Sequence, residues 1–268
     1  MGTGLPGQVN LPEAFANGHR VHYELQGAVG APVVVLSNSL GTTLAMWDQQ
    51  VPSLTRQFRV LRYDTRGHGS SEVTRGDYQI EELGSDVLDL TAVLGIDEFS
   101  FCGLSMGGLI GQWLALHGGK RLHRVVLCNT AAKIGDENGW SARIARVRRD
   151  GLADIAQEAI ARWFTSPFAI AEPARVEVIK RLLITCDPAG YAANCAAVRD
   201  ADFRSRLGEI NKPALVIAGA SDPVTTLAEC QALAAGIRGA KLAVMNAAHL
   251  SNFGDERFNS VLTNFLVT

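Results

Sequence analysis

The residues able to do chemistry fall in three short segments of the chain. Gly103-Leu104-Ser105-Met106-Gly107-Gly108 carries the spacing G-x-S-x-G, in which a serine sits on a sharp strand-to-helix turn and exposes its hydroxyl. Strained backbone angles need small neighbours, and the helix amides behind the turn favour negative charge. A serine hydroxyl becomes a nucleophile at neutral pH only beside a base, and that base needs an orienting carboxylate. Downstream, Asp222 follows the apolar run 214–219 and His249 follows the run 241–245, giving the chain order Ser, Asp, His that this turn predicts. His249 is the only histidine after residue 123, so the C-terminal half holds no rival base. Asp222 competes with Asp187, Asp200 and Asp202, which lie in helical or linker segments. The chemistry indicated is nucleophilic acyl transfer. It also requires two N–H donors for a developing oxyanion, one just after the nucleophile and one in the loop after an early strand. Those donors are Met106 and, within the loop 38–43 (NSLGTT), Leu40.

Such residues must be held at the ends of buried strands. Short apolar runs at 32–37, 58–64, 99–104, 125–129, 214–219 and 241–245 are nearly continuous in Val, Leu and Ile, as suits parallel strands covered on both faces. Between them, Leu83, Val87, Leu90 and Leu94 recur at i, i+4, i+7 and i+11, with Glu81, Glu82, Asp86 and Asp89 interleaved; this spacing predicts an amphipathic helix over 80–94. A second, more apolar helix is predicted over 106–117. The alternation implies βαβ units and an α/β architecture with a doubly wound, mostly parallel sheet. At the start of the chain, Asn17-Gly18 between apolar flanks predicts a type I′ hairpin and an antiparallel pair. From 131 to 212 no strand pattern occurs, only helical segments at 139–150, 152–164, 173–185 and 189–199. We therefore expect a core made of 1–130 and 213–268, interrupted by a helical cap at 131–212. An insertion there would roof the carboxyl ends of the strands, where ligands bind in such sheets.

Composition bounds the partners. The 268 residues include 25 Lys or Arg and 27 Asp or Glu, for a formal charge of −2, which argues against a nucleic-acid or membrane-surface protein but not against a small anionic ligand. With 47% hydrophobic and 19% charged residues, the chain has ample material for one large globular domain. No apolar run approaches the roughly 18 to 20 residues of a membrane span. Pro6, Pro12, Glu13 and Glu24 interrupt the region where a signal-peptide core would lie, so a cytoplasmic location is expected. Five scattered cysteines without a C-x-x-C pair read as free thiols. His19 and His22, three apart on a strand, face opposite ways, and no metal site is expected.

Several segments together resemble the α/β-hydrolase superfamily and, within it, the 3-oxoadipate enol-lactonase family. They are Leu36-Ser37-Asn38-Ser39-Leu40-Gly41-Thr42, Trp47, Arg62-Tyr63-Asp64-Thr65-Arg66-Gly67-His68-Gly69-Ser70-Ser71, the Ser105 segment, Asn129-Thr130-Ala131-Ala132-Lys133-Ile134-Gly135, Gly219-Ala220-Ser221-Asp222-Pro223 and Ala248-His249-Leu250-Ser251-Asn252. The Asp-x-Arg-Gly-His-Gly segment and the Ser, Asp, His set are general to the superfamily. The Ser-Asn-Ser-Leu-Gly-Thr loop, where most relatives carry His-Gly, and the Asn-Thr-Ala-Ala-Lys-Ile-Gly segment are the specific pieces. The resemblance implies an α/β-hydrolase fold and hydrolysis of 3-oxoadipate enol-lactone through an acyl-enzyme, with a small anionic lactone as substrate and no cofactor. The free carboxylate of that substrate calls for a cation. Lys133 at the cap entrance is the first candidate, with Trp140 as an apolar wall, Arg143 and Arg162 in reserve, and Ser39 beside Leu40. These side chains read equally well as solvated charges and a cap-core tryptophan. A carboxylesterase, a carbon-carbon bond hydrolase, or a ligand-binding receptor on the same scaffold is the alternative. Monomer and homodimer are both compatible with the sequence.

Overall fold

Eight strands share one sheet in the computed structural model, which describes residues 12–268. They are β1 (Glu13–Ala16), β2 (His19–Gln26), β3 (Val33–Ser37), β4 (Arg59–Tyr63), β5 (Phe99–Leu104), β6 (Leu122–Cys128), β7 (Ala214–Gly219) and β8 (Lys241–Met245). Residues 1–11 of the expected core segment lie outside the described residues. The spatial order is β1-β2-β4-β3-β5-β6-β7-β8. Asn17 at φ 44° and Gly18 at φ 79° form the expected hairpin turn between β1 and β2. β2 then pairs antiparallel with β4, Tyr23 opposite Tyr63, a pairing with no local signal in the sequence. From β4 through β8 every neighbour is parallel. β5 and β7 are buried at every position. β8 forms the sheet's edge, and Leu242 and Val244 are exposed there, unlike the fully covered strand that its apolar run suggests.

The chain steps from β3 to β4 in one direction along the sheet, and from β4 through β5 to β6 in the other. Right-handed crossovers then place the connecting helices on opposite faces. α1 (Val51–Leu54) follows β3, α2 (Ile80–Val93) follows β4, and α3 (Met106–His117) follows β5. β6 leads into five consecutive helices: α4 (Glu137–Asp150), α5 (Ala153–Trp163), α6 (Ser166–Ala171), α7 (Pro173–Ile184) and α8 (Pro188–Asp200). α9 (Leu227–Gly236) joins β7 to β8, and α10 (Ser251–Gly254) and α11 (Arg257–Val267) end the chain. α2 packs on α3, while α1 packs on α11. Among the described residues no helix is long and apolar enough to cross a membrane.

The reversal of strand order falls between β3 and β5, with Ser37 registered against Gly103. Outside the carboxyl ends of two such strands an open α/β sheet leaves its binding crevice. The loop carrying Leu40 and the turn carrying Ser105 therefore leave the sheet side by side. The hairpin and the loop after β4 are anchored to α2 by a buried ion pair: Arg66 Nε donates to Asp86 Oδ2 at 2.9 Å and its second nitrogen to Oδ1 at 2.6 Å. Asn17 Nδ2 adds a third bond to Asp86 Oδ1 at 2.7 Å. Removing one partner leaves the other charge buried and unpaired. Asp86→Ala should cost roughly 3–5 kcal/mol in urea unfolding, and pairing Asp86→Leu with Arg66→Met should recover most of it. A loss in Asp86→Ala below about 1 kcal/mol would show that Arg66 is solvated instead.

Candidate active site

Ser105 stands between β5 and α3 at φ 58°, ψ −112°, a conformation that costs an L-residue about 1–3 kcal/mol. The surrounding glycines are required sterically. A Cβ at Gly103 would lie 2.0 Å from the Gly107 carbonyl oxygen, and a Cβ at Gly107 would lie 2.5 Å from the Ser37 oxygen. Backbone bonds hold the turn: Ser105 N donates to Cys128 O at 2.9 Å and Gly107 N to Asn38 O at 3.1 Å. The Ser105 carbonyl accepts from Gly108 N, Leu109 N and Thr130 Oγ1.

Almost every amide around Ser105 is committed. Ser39 N donates to Met46 Sδ, Gly41 N to His68 Nε2 at 2.8 Å, and Thr42 N to Ser39 O. Leu40 N and Met106 N donate to no acceptor among the described residues, although both residues are buried. Buried N–H groups without partners are rare. Both belong to the crossing where Gly107 N meets Asn38 O, and a pair of unpartnered N–H donors is what a developing oxyanion requires.

Asp222 and His249 leave the sheet at the ends of β7 and β8, and His249 Nδ1 lies 2.8 Å from Asp222 Oδ2. With Nδ1 carrying its hydrogen to the carboxylate, Nε2 keeps a free lone pair. Asp222 Oδ2 also accepts from Thr225 Oγ1 at 2.8 Å and Asn129 Nδ2 at 3.0 Å, while Oδ1 accepts from Val224 N at 2.8 Å and Thr225 N at 3.1 Å. Burial pushes the Asp222 carboxyl upward, but the neighbouring His249 and the donated bonds outweigh it and hold its pKa below the usual value. The carboxylate is thus kept charged without water. Ser105 Oγ bonds to no other described residue, His249 included.

Near this pair a cavity of about 240 Å³ is lined by Trp140, Arg143, Arg162, Trp163, Pro223 and Val224 among others. Ser105 and His249 are not in its lining, but Trp163 bridges the two, its ring centroid 6.3 Å from that of His249 and its carbonyl accepting from Leu250 N. The Arg143 guanidinium stacks 5.0 Å over the Trp140 ring, and Trp140 Nε1 donates to Ile134 O. Neither Arg143 nor Arg162 has a carboxylate within ion-pair distance among the described residues; Glu158 pairs with Arg146 instead. Burial and then the charge of Arg143 lower the Arg162 pKa. The cavity therefore holds two guanidiniums outside any ion pair among the described residues, with Glu158 acting on Arg162 only through space. Lys133 is not brought there. Its ammonium donates to the Arg199 carbonyl, sits 4.0 Å from Asp202, and lines a separate depression with Arg204 and Glu229. Ser39 is buried next to Leu40.

Asn129, Trp163, Thr225 and His68 contact the site without having been singled out from sequence. Asn129 carried a usable signal, a polar residue immediately past the buried end of β6, much as Asp222 and His249 lie within a few residues of the ends of β7 and β8. Among the described residues no cluster of His, Cys, Asp or Glu is arranged to hold a metal ion.

His68 accepts the Gly41 amide through Nε2, so the loop holding Leu40 depends on a neutral imidazole. Burial lowers its pKa from 6.5 to about 4, against a smaller opposing bond from the Arg66 carbonyl. In the unfolded chain the same ring takes up a proton near 6.5. Stability is therefore full above that pH and is lost as pH falls toward 4. His68→Gln, which does not titrate, should reduce the stability lost between about pH 7 and about pH 4.5 by roughly 2 kcal/mol in urea unfolding. An identical loss in both proteins would contradict this.

Comparison with known proteins agrees with this fold. A family model described as the alpha/beta hydrolase fold matches residues 32–256. The chain is 47% identical over 232 residues to 3-oxoadipate enol-lactonase 2 of Acinetobacter baylyi, covering 87% of each chain. It is 39% identical to 3-oxoadipate enol-lactonase 1 of the same organism, covering 93% of this chain and 94% of that one. Among solved structures, the enol-lactonase from Burkholderia xenovorans LB400 matches with a TM-score of 0.93 at 45% identity, over 96% of this chain and 100% of that one. With its mostly parallel eight-stranded sheet and the strained serine turn at the end of β5, the chain belongs to the α/β-hydrolase family.

Proposed function

We propose that this chain hydrolyses 3-oxoadipate enol-lactone to 3-oxoadipate, with residues 131–212 acting as a cap over the reacting serine. What carries the reading is the pair of uncommitted amides at Leu40 and Met106 beside Ser105, in a chain 47% identical to an enol-lactonase. Ser105 Oγ attacks the lactone carbonyl carbon while its proton passes to His249 Nε2. The carbonyl oxygen, now negative, enters the Leu40 and Met106 amides, and Asp222 stabilises the imidazolium. Collapse breaks the ring C–O bond. The departing oxygen leaves as an enolate, which takes at carbon the proton that His249 received from Ser105, becomes the ketone of the acyl chain and leaves the imidazole neutral again. Water deprotonated by His249 then attacks the Ser105 ester, releasing 3-oxoadipate and returning a proton to Ser105. An enolate is a better leaving group than an alkoxide, so positioning and oxyanion stabilisation supply most of the acceleration.

The carboxylate of the lactone goes to Arg143 and Arg162, neither of which is in an ion pair with a described carboxylate, with Trp140 against the apolar part of the substrate. Ser39 belongs to the carbonyl end, beside Leu40. Lys133 has no part in this assignment, being engaged by Asp202 and the Arg199 carbonyl.

Loss of the lactone's ultraviolet absorbance measures turnover. Ser105→Ala should lower kcat by roughly four orders of magnitude or more. Cleavage of a neutral p-nitrophenyl ester with the lactone untouched would replace the lactone by another acyl substrate. Arg143→Ala and Arg162→Ala should each raise KM for the lactone about tenfold, with kcat little changed and the neutral ester unaffected. Equal effects on both substrates would remove the two arginines from carboxylate binding.

A further inference from the structure

Asn129, the first residue past β6, is fully buried and has φ 43°. That is a left-handed conformation which Asn tolerates better than most side chains. Every polar atom of its amide is used. Nδ2 donates to Asp222 Oδ2 at 3.0 Å and to the Ala248 carbonyl at 3.1 Å, and Oδ1 accepts from Ser251 Oγ. Its backbone N donates to Ile217 O at 2.7 Å. One side chain from the end of β6 thus ties together the carboxylate carried by β7 and both flanks of His249 after β8. The slot is kept open by Gly219, where a Cβ would lie 2.3 Å from the Ala248 oxygen and 2.9 Å from Asn129 Nδ2.

We propose that Asn129 is a positioning residue for the Asp222–His249 pair, an inference that rests on the function proposed above. The geometry demands two donors and one acceptor on a short neutral side chain, which is the inventory of a primary amide. A leucine of similar size would leave the Ala248 carbonyl and the Ser251 hydroxyl without this partner. An aspartate would bring a second carboxylate against Asp222. The bond to Asp222 Oδ2 has a consequence beyond orientation, because that oxygen also accepts from His249 Nδ1. A donor on Oδ2 draws charge from the carboxylate and moderates its hold on the imidazolium. Asn129 therefore sets both where His249 points and how readily it takes up a proton.

Asn129→Asp changes charge with little change in size. Nuclear magnetic resonance of the His249 ring nitrogens reads its pKa without any substrate. We expect that pKa to rise by about one unit, and the acid limb of kcat/KM to rise with it, while KM for the lactone stays within about threefold. Ser251→Ala leaves the amide in place but frees Oδ1, and a smaller shift in the same direction is expected from it. This variant stands in if Asn129→Asp does not fold. A His249 pKa and an acid limb unchanged from wild type in the folded variants, whatever their melting temperature, would overturn the proposal. Lactone turnover by the wild-type protein, measured on the same preparation, reports separately on the function itself.

Discussion

The structure depends on one crowded crossing, where the turn after β5 passes under the end of β3. The Gly107 carbonyl fills the space that a side chain at 103 would occupy, and the Ser37 carbonyl fills the space that one at 107 would occupy. Backbone therefore meets backbone without intervening side chains, and Ser105 is forced to φ 58°. The strain is opposed by the parallel pairing of β5 with β3 and β6 and by the buried bonds from Ser105 N and Gly107 N. The same proximity brings the loop that carries Leu40 against the turn that carries Ser105 and Met106. A looser crossing would separate the two amides and relax the serine.

Around this crossing the polar groups divide sharply between those with partners and those without. Asp222 accepts five bonds, from Val224, Thr225 twice, Asn129 and His249, so its charge survives burial. Arg66 and His68 are likewise buried, the one donating to Asp86 and the other accepting the Gly41 amide. Two amides and the Ser105 hydroxyl have no partner here, and two guanidiniums outside any ion pair among the described residues line the neighbouring cavity. A substrate with a carbonyl at one end and a carboxylate at the other matches that distribution.

Much of this was legible from local pattern. Buried parallel strands announce themselves as apolar runs, and polar residues just beyond several of them fall along one edge of the sheet because all those strands point the same way. The hairpin was legible because Asn17-Gly18 specifies its own backbone. What was not legible depends on distant partners. The antiparallel docking of β2 on β4 joins segments about forty residues apart with no shared motif. The exposure of β8 follows from its place at the edge, not from its composition. The direction of Lys133 was not legible either, because it depends on how α8 and the 202–204 turn pack against the start of the helical stretch, where its ammonium meets Asp202 and the Arg199 carbonyl. Asn129 was passed over because its role exists only once the ends of β6, β7 and β8 are side by side.

The central claim is that Ser105 carries the acyl group. The most direct measurement is rapid acid quench of the protein during turnover of 3-oxoadipate enol-lactone, followed by mass spectrometry of its peptides. The account predicts a peptide heavier by one whole lactone, with the added mass on Ser105, appearing before product and decaying with it. Steady lactone hydrolysis with no adduct at any quench time, or with an adduct on another residue, would contradict it.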